Sequence, residues 1–234
     1  MSITLKDINK SYGNLTVFKN LNITFTQGKI SCLLGQSGSG KTTLLNIVSG
    51  LTEYKGILEK DKGLISYIFQ KERLINNLTV KGNLEYVLLS QIKDKEERTQ
   101  KIKSILNMVE LSEKANNYPN ELSGGQQQRL SMARAFVFPS KILLMDEPFR
   151  SLDIALKKRM VNEFYKLWDK DKRTVVFVTH DIDEALMLAD NIYILKGNPT
   201  EIVKTIELNT PQKERDLTNE NMTNKRNEIY KILA

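Results

Sequence analysis

The sequence predicts an α/β fold in which a mostly parallel sheet with helices on both faces follows an N-terminal antiparallel β subdomain and is interrupted by an inserted α-helical subdomain. Three observations carry this. The apolar run Ile30-Ser31-Cys32-Leu33-Leu34 feeds a glycine-rich turn, Gly35-Gln36-Ser37-Gly38-Ser39-Gly40-Lys41-Thr42-Thr43, which opens a second apolar run at residues 44–48. Strand, phosphate-binding turn and helix in that order are the unit of a P-loop NTPase. Two short continuous apolar runs, Ile142-Leu143-Leu144-Met145 and Thr174-Val175-Val176-Phe177-Val178-Thr179, read as strands buried on both faces. Stretches of helical period lie between these strands, the alternation that builds a parallel sheet. Residues 3–8 and 15–25 alternate apolar and polar, as half-buried antiparallel strands do.

Taken in order, Ile3, Leu5 and Ile8, then Leu15, Val17, Leu21, Ile23 and Phe25 supply the alternation, with turns at Tyr12-Gly13-Asn14 and Gln27-Gly28. The helix after the P-loop runs to about Gly50. Two short strands are expected at Ile57-Leu58 and at residues 64–69. From Thr79 to Leu111 the spacing turns helical: Ile102, Ile105, Leu106 and Val109 fall at i, i+3, i+4 and i+7. Asn117-Tyr118-Pro119-Asn120 interrupts it, and another helix starts near Ser123. A helix over 154–169 carries Leu156, Met160, Phe164, Leu167 and Trp168 at core spacing. A short helix over 183–189 and a strand at 191–195 follow. Residues 219–234 read as a short, weakly held C-terminal helix.

A chain of 234 residues with 40% hydrophobic and 27% charged residues can build one large domain with a sizeable core. The net charge of +7 is spread over scattered lysines, and Lys93-Asp94-Lys95-Glu96-Glu97-Arg98 mixes both signs, so a solvated surface is expected rather than a nucleic-acid site. The single cysteine, Cys32, excludes an internal disulfide and sits where a buried core thiol is expected. No Cys/His cluster suggests a structural metal. The start lacks a signal-peptide pattern, and no apolar stretch approaches the roughly 18–20 residues that span a bilayer, so any membrane role is expected to be peripheral.

The chemistry begins at the P-loop. Its glycines let backbone N–H groups converge on one anion, and the helix behind them points its positive end the same way. Lys41 is expected to act as a mobile charge on the outer phosphates, and the Thr42 hydroxyl to reach Mg²⁺, which takes few protein ligands. Lys141-Ile142-Leu143-Leu144-Met145-Asp146-Glu147-Pro148 is a buried strand ending in two carboxylates. Asp146 is placed beside the metal, and Glu147, one residue on, is placed to orient or deprotonate the attacking water. Ser123-Gly124-Gly125-Gln126 opens a helix and so offers a second anion site. A second phosphate-facing helix start is redundant for one nucleotide on one chain, but makes sense if it faces the nucleotide of a partner.

Leu122-Ser123-Gly124-Gly125-Gln126 resembles the signature of ATP-binding-cassette ATPases, and other motifs agree in order. The resemblance covers at least residues 3–208 and implies ATP and Mg²⁺ as ligands. It makes Tyr12 the aromatic that stacks on adenine and Gln70, ending Tyr67-Ile68-Phe69-Gln70, the Q-loop glutamine, a further candidate metal contact. It makes Ser151-Leu152-Asp153 the D-loop and His180, the only histidine, the switch residue that reads the γ-phosphate. It implies an ATPase domain over residues 1–208, with a helical subdomain at about 71–138, and a short helical tail over 209–234. Glu72-Arg73-Leu74, Leu78-Thr79-Val80 and Asn83, then residues 147–153 and 179–190, with the tail Arg215-Asp216-Leu217-Thr218-Asn219, Arg226 and Glu228-Ile229, resemble bacterial import ATPases, nearest the nitrate/sulfonate/taurine set that also includes thiamine-precursor importers.

That resemblance implies a nucleotide-sandwich homodimer, two transmembrane permease subunits, a substrate-binding protein acting indirectly, no nucleic acid, and a peripheral place on the cytoplasmic face of the membrane. Two departures stand out. Only 29 positions separate Lys41 from Gln70, so the antiparallel subdomain is expected to be trimmed there. The segment after Gln70 reads Leu74-Ile75-Asn76-Asn77-Leu78, without the Pro-Trp of the sulfonate group. A DNA-repair or chromosome-organising ATPase is the alternative, but only 105 positions separate Lys41 from Asp146, without sustained heptads. An export ATPase, a tandem soluble cassette and a non-catalytic binding module are further rivals. Lys41, Asp146, Glu147 and His180 together argue against the last.

Overall fold

The computed structural model describes residues 2–150 and 152–234; Ser151 of the expected D-loop lies outside them. The chain opens with a hairpin, β1 (Ile3–Tyr12) and β2 (Leu15–Phe25), closed by a tight turn at Gly13-Asn14. β3 (Ile30–Gly35) runs into the P-loop and α1 (Lys41–Ser49) leaves it. Gly50, in the left-handed conformation, ends α1: its N–H and that of Leu51 return to the carbonyls of Ile47 and Asn46. β4 (Lys55–Glu59) pairs with β1, giving a three-stranded antiparallel sheet in the order β2-β1-β4.

β5 (Ile65–Ile68) begins a second sheet. Three helices are inserted before its next strand: α2 (Val80–Leu88), α3 (Lys95–Met108) and α4 (Gly124–Val137). The helical stretch expected over 79–111 is two helices, because Asp94 caps a new start by accepting from the N–H groups of Glu96 and Glu97. β6 (Ile142–Asp146), α5 (Ile154–Asp171), β7 (Thr174–Thr179), α6 (Ile182–Leu188) and β8 (Asn191–Lys196) complete the α/β alternation. β9 (Glu201–Glu207), not expected from the sequence, adds an antiparallel edge strand, and the sheet order is β5-β6-β7-β3-β8-β9.

The central strands are buried on both sides, and their residues alternate between two cores. Cys32, Leu34, Met145 and Phe177 face the core made with α4, α5 and α6; Leu33, Leu144, Val176 and Val178 face the core shared with α1 and the N-terminal sheet. That is why β3, β6 and β7 read as continuous apolar runs while β1 and β2 alternate. Cys32 is fully buried, and burial raises its thiol pKa well above the ordinary value.

The C-terminal helix α7 (Glu220–Leu233) is better held than its polar sequence suggests. Asn219 caps it, and Met222 and Ile229 are buried. Its far end is tied to the P-loop side of the molecule: Gln36 Nε2 donates to the Leu233 carbonyl at 3.0 Å and Lys196 Nζ to that of Ile232 at 3.0 Å. The expectation of weak attachment misjudged these carbonyl contacts, which no side-chain pattern reveals. Just before α7, the Arg215 guanidinium reaches the carbonyls of Leu186, Met187 and Ala189 at the end of α6. Burial lowers its pKa to about 10, against the opposing pull of Asp190. Five donors in a rigid fork let one side chain satisfy a helix end that would otherwise be left open.

Candidate functional site

β3, β7 and β6 are neighbours in the sheet, so their C-terminal ends bring the P-loop, His180 and Asp146-Glu147 to one crevice edge, where open α/β sheets bind ligands. Residues separated by about a hundred positions in the chain meet there because two parallel pairings put them in register.

The P-loop is shaped by backbone geometry. Gly38 and Gly40 take positive φ of 83° and 73°, and Ser39 N donates to the Gln36 carbonyl at 3.2 Å. Gly40 lies against the N-terminal sheet: a Cβ there would stand 2.8 Å from Val17 Cγ1 and 2.9 Å from the Phe18 ring. Lys41 is only 6% exposed, and its ammonium donates to the carbonyls of Gly35 at 2.9 Å and Gln36 at 2.7 Å and to Ser39 Oγ at 3.3 Å. The sequence suggested a mobile charge, but the ammonium is held inside the mouth of the loop. Burial lowers the Lys41 pKa, and the carboxylates of Glu147 and Asp146 pull it back up. Gln36, Ser37 and Thr42 are exposed, Thr43 is half-buried, and Gly35 is buried at the end of β3.

Asp146 is 3% exposed at the end of β6. Burial raises its pKa, while a hydrogen bond from the Thr42 hydroxyl lowers it. A buried carboxylate joined to a hydroxyl is a pair of hard oxygen donors, which suits Mg²⁺.

Glu147 follows with φ of 49°, in the left-handed region that non-glycine residues enter mainly where the surroundings force it. Its N–H donates to the Val178 carbonyl at 3.0 Å, which locks the turn to β7. Its Oε1 lies 3.2 Å from Nδ1 of His180. Its Oε2 is shielded from solvent and forms an ion pair with the Arg150 guanidinium at 3.2 Å, without a well-aligned hydrogen bond among the described residues. His180, on the turn after β7, is mostly exposed. The two residues assigned to water and γ-phosphate therefore touch each other.

Among the described residues, no hydrogen bond or ion pair joins the remaining predicted residues to the P-loop, Asp146 or Glu147, although Gln70 follows β5 to the same sheet edge, since Ile68 pairs with Met145. Ser123 caps α4: its Oγ accepts from Gln126 N at 3.3 Å while Gln126 Oε1 accepts from Ser123 N at 2.9 Å. That reciprocal pair leaves the amides of Gly124 and Gly125 as the open donors of the helix start. Among the described residues, no hydrogen bond or ion pair joins residues 123–126 to the P-loop. Asp153 is exposed and caps α5, accepting from Leu156 N at 2.9 Å. Tyr12 is exposed at the end of β1, with the Lys10 ammonium 4.5 Å from its ring centroid. Gln70 is exposed just after β5.

Sequence reading missed several supports of this arrangement. Gln128 Nε2 donates to the Pro148 carbonyl at 2.7 Å, tying the helix behind Ser123 to the turn behind Glu147. Asn83, fully buried, takes the Ile75 N–H on Oδ1 and gives Nδ2 to the carbonyls of Ile75, Leu78 and Thr79, and so fixes the segment after Gln70. Lys157 and Glu184 meet behind His180. A buried polar residue must find partners, so a lone Asn in an apolar helical pattern was the available signal for Asn83; no local pattern pointed to the others.

The family model described as ABC transporter matches residues 18–150, a span from β2 through the P-loop and the Ser123 helix to Glu147. The chain belongs to the ABC transporter family. Within it, the cassette is similar to the sulfate/thiosulfate import ATP-binding protein of Mannheimia succiniciproducens, 38% identical over 86% of this chain and 60% of that protein. It is 34% identical to the nitrate import ATP-binding protein of Synechocystis, over 92% of this chain and 85% of that protein. The cassette thus spans about three-fifths of the length of the first of these relatives. Among solved structures it resembles a dimeric ATP-binding cassette in a post-hydrolysis state bound to ADP and Pi, with 33% identity, a TM-score of 0.79, and 89% of this chain and all of that one covered. ATP binding and hydrolysis with Mg²⁺ are the chemistry of this cassette. Among the described residues, no helix is long and apolar enough to cross a membrane.

Proposed function

We propose that this chain is the ATPase subunit of an importer, peripheral at the cytoplasmic face of the membrane. It works as a homodimer that couples ATP hydrolysis to uptake through two transmembrane permease subunits, fed by a substrate-binding protein. The observation that carries this reading is that import ATP-binding relatives align along nearly the whole chain. Nothing in those relatives favours the nucleic-acid alternative. Residues 1–208 serve as the ATPase unit, with the helical lobe at about 71–138, and residues 209–234 as a helical tail.

Each nucleotide is held between two copies in a two-fold arrangement. The backbone N–H groups of residues 35–43 and Lys41 take the phosphates, Thr43 completes the loop, and Tyr12 stacks on the base. From the other copy, Ser123, Gly124, Gly125 and Gln126 approach the γ-phosphate and Asp153 lies beside it; the open amides of Gly124 and Gly125 support that role. Thr42, Asp146 and Gln70 would hold Mg²⁺, which when bound neutralises charge on the phosphate oxygens. Glu147 orients and deprotonates the attacking water, and His180 contacts the γ-phosphate while keeping Glu147 aligned. Gln70 links the site to the helical lobe that receives a permease segment. ATP favours the closed pair because its γ-phosphate contacts both copies, and hydrolysis removes that preference.

The finer reading is the nitrate/sulfonate/taurine group. It is supported by the tail motif, in which Arg215 and Arg226 both anchor the end of the chain on α6, and by the alignment over most of the nitrate relative. The test is transport by the chain reconstituted in vesicles with a permease and a binding protein with which it co-purifies. Nitrate, taurine, sulfate and spermidine are offered in turn. ATP-dependent accumulation of nitrate or taurine is expected. Uptake of sulfate or spermidine alone contradicts the group assignment, and export or the absence of ATP-driven movement contradicts the importer.

A further inference from the structure

His180 stands on a turn with little of its own to hold it. The imidazole is mostly exposed and touches Glu147, yet the residues around it are pinned from behind. Thr179 Oγ1 donates to Glu184 Oε2 at 2.7 Å and accepts from Asp181 N at 3.0 Å. Asp181 Oδ1 accepts from the N–H groups of Asp183 and Glu184, which starts α6. Lys157, reaching over from α5, closes the ring: its ammonium lies 2.9 Å from Asp181 Oδ2 and 2.7 Å from Glu184 Oε1. Thr179, Glu184, Lys157 and Asp181 thus form a closed circuit around the backbone of His180.

Glu184 is 4% exposed, and its carboxylate is engaged by Thr179 and Lys157. Burial pushes its carboxyl up, against the lowering effect of Lys157 and Thr179. Burial would lower Lys157, but its hydrogen bonds to Glu184 and Asp181 prevail and raise it, so the ammonium stays charged. A buried ion pair is weak evidence for stability, since desolvation offsets the attraction; its best-supported use is to fix one geometry among several. Here the fixed geometry is that of the turn carrying His180.

We infer that Lys157 and Glu184 are positioning residues for His180, setting the height of its imidazole over the γ-phosphate and its 3.2 Å contact with Glu147. Lys157 lies one turn beyond Asp153, whose carbonyl accepts its N–H at 2.8 Å. The clamp is therefore anchored on the first turn of the helix whose start is proposed to face the second copy. The inference rests on the proposed role of His180.

The test is steady-state ATPase kinetics of the full chain. Lys157→Met is expected to lower kcat about tenfold or more, with KM for ATP and the affinity for a non-hydrolysable analogue within about twofold of wild type, the split that marks an interaction made in the transition state. Lys157→Arg, which can still reach both carboxylates, is expected to recover most of the loss, and Glu184→Gln to repeat it. In a His180→Ala background, where nothing is left to position, Lys157→Met is expected to cause no further loss. Wild-type kcat in Lys157→Met overturns the inference. So does an equal fall in the His180→Ala background, or a loss that Lys157→Arg shares in full. Wild-type turnover by His180→Ala itself overturns the role of His180, and the inference with it, in a separate measurement.

Discussion

Glu147→Gln is expected to bind ATP with near wild-type affinity and to lose about 10²–10⁴-fold in turnover, the range for removing a positioned general base. The substitution keeps the shape of the side chain and leaves the N–H bond to Val178 intact, so the left-handed turn that aims residue 147 survives. It also keeps an amide oxygen to face His180. It removes the negative charge of the carboxylate, and with it the proton acceptor and the ion pair between Oε2 and Arg150. Because ATP is still held but not cleaved, the closed pair loses its exit and should accumulate. Phosphate release at saturating ATP measures the first effect, and light scattering with and without ATP the second. Wild-type turnover would remove Glu147 from its role.

Gly40→Ala is expected to disable the P-loop itself. Its φ of 73° alone costs an L side chain about 1 kcal/mol or more. The new methyl would also stand 2.8–2.9 Å from Val17 and the Phe18 ring. Phe18 is fully buried in the core beneath the N-terminal sheet, so the ring cannot swing into solvent. Overpacking of this kind adds about 1–3 kcal/mol. The loop would relieve the clash by moving away from the sheet, and its N–H groups would then diverge from the anion they surround. ATP affinity should fall by about a hundredfold, equivalent to about 2.8 kcal/mol, and Tm should fall with it. Gly13→Ala is the control: its φ of 55° is also left-handed, but nothing lies within 4 Å of its Cβ, and it should leave ATP affinity unchanged. Equal losses at both positions would mean that backbone conformation, and not the packing against Phe18, governs the effect. Titration with a fluorescent ATP analogue and thermal unfolding distinguish these outcomes.

Much of this site was legible because local chemistry demands particular residues. A chain that must curl around an anion needs glycines where residues 35–40 have them, and a metal beside a buried sheet needs an acid at a strand end, as at Asp146. The strands were legible where burial on both faces leaves an unbroken apolar run, as in β6 and β7. β9 was not, because it is an edge strand with one buried side chain, Ile206, in a mostly polar stretch, and only pairing with β8 makes it a strand. The attachment of α7 was missed for a related reason: two of its bonds go to main-chain carbonyls, which every residue possesses. Asp181 and Glu184 show the capping-box spacing, which predicts that Glu184 reaches back to its own helix start. Glu184 turns inward instead because the packing of α5 against α6 brings Lys157 to it, a tertiary fact that no local pattern contains.

The central claim is that one chain carries only half of a working site, the P-loop with Asp146, Glu147 and His180, and that residues 123–126 of a second copy supply the rest. ATPase rate per subunit, measured at saturating ATP over a dilution series that crosses the dimerisation range seen by light scattering, tests this most directly. The rate per subunit is expected to fall on dilution in step with the dimer fraction, and to be restored by adding Lys41→Ala subunits, which contribute an intact Ser123 helix. A rate per subunit that stays constant far below the dimerisation range would contradict it.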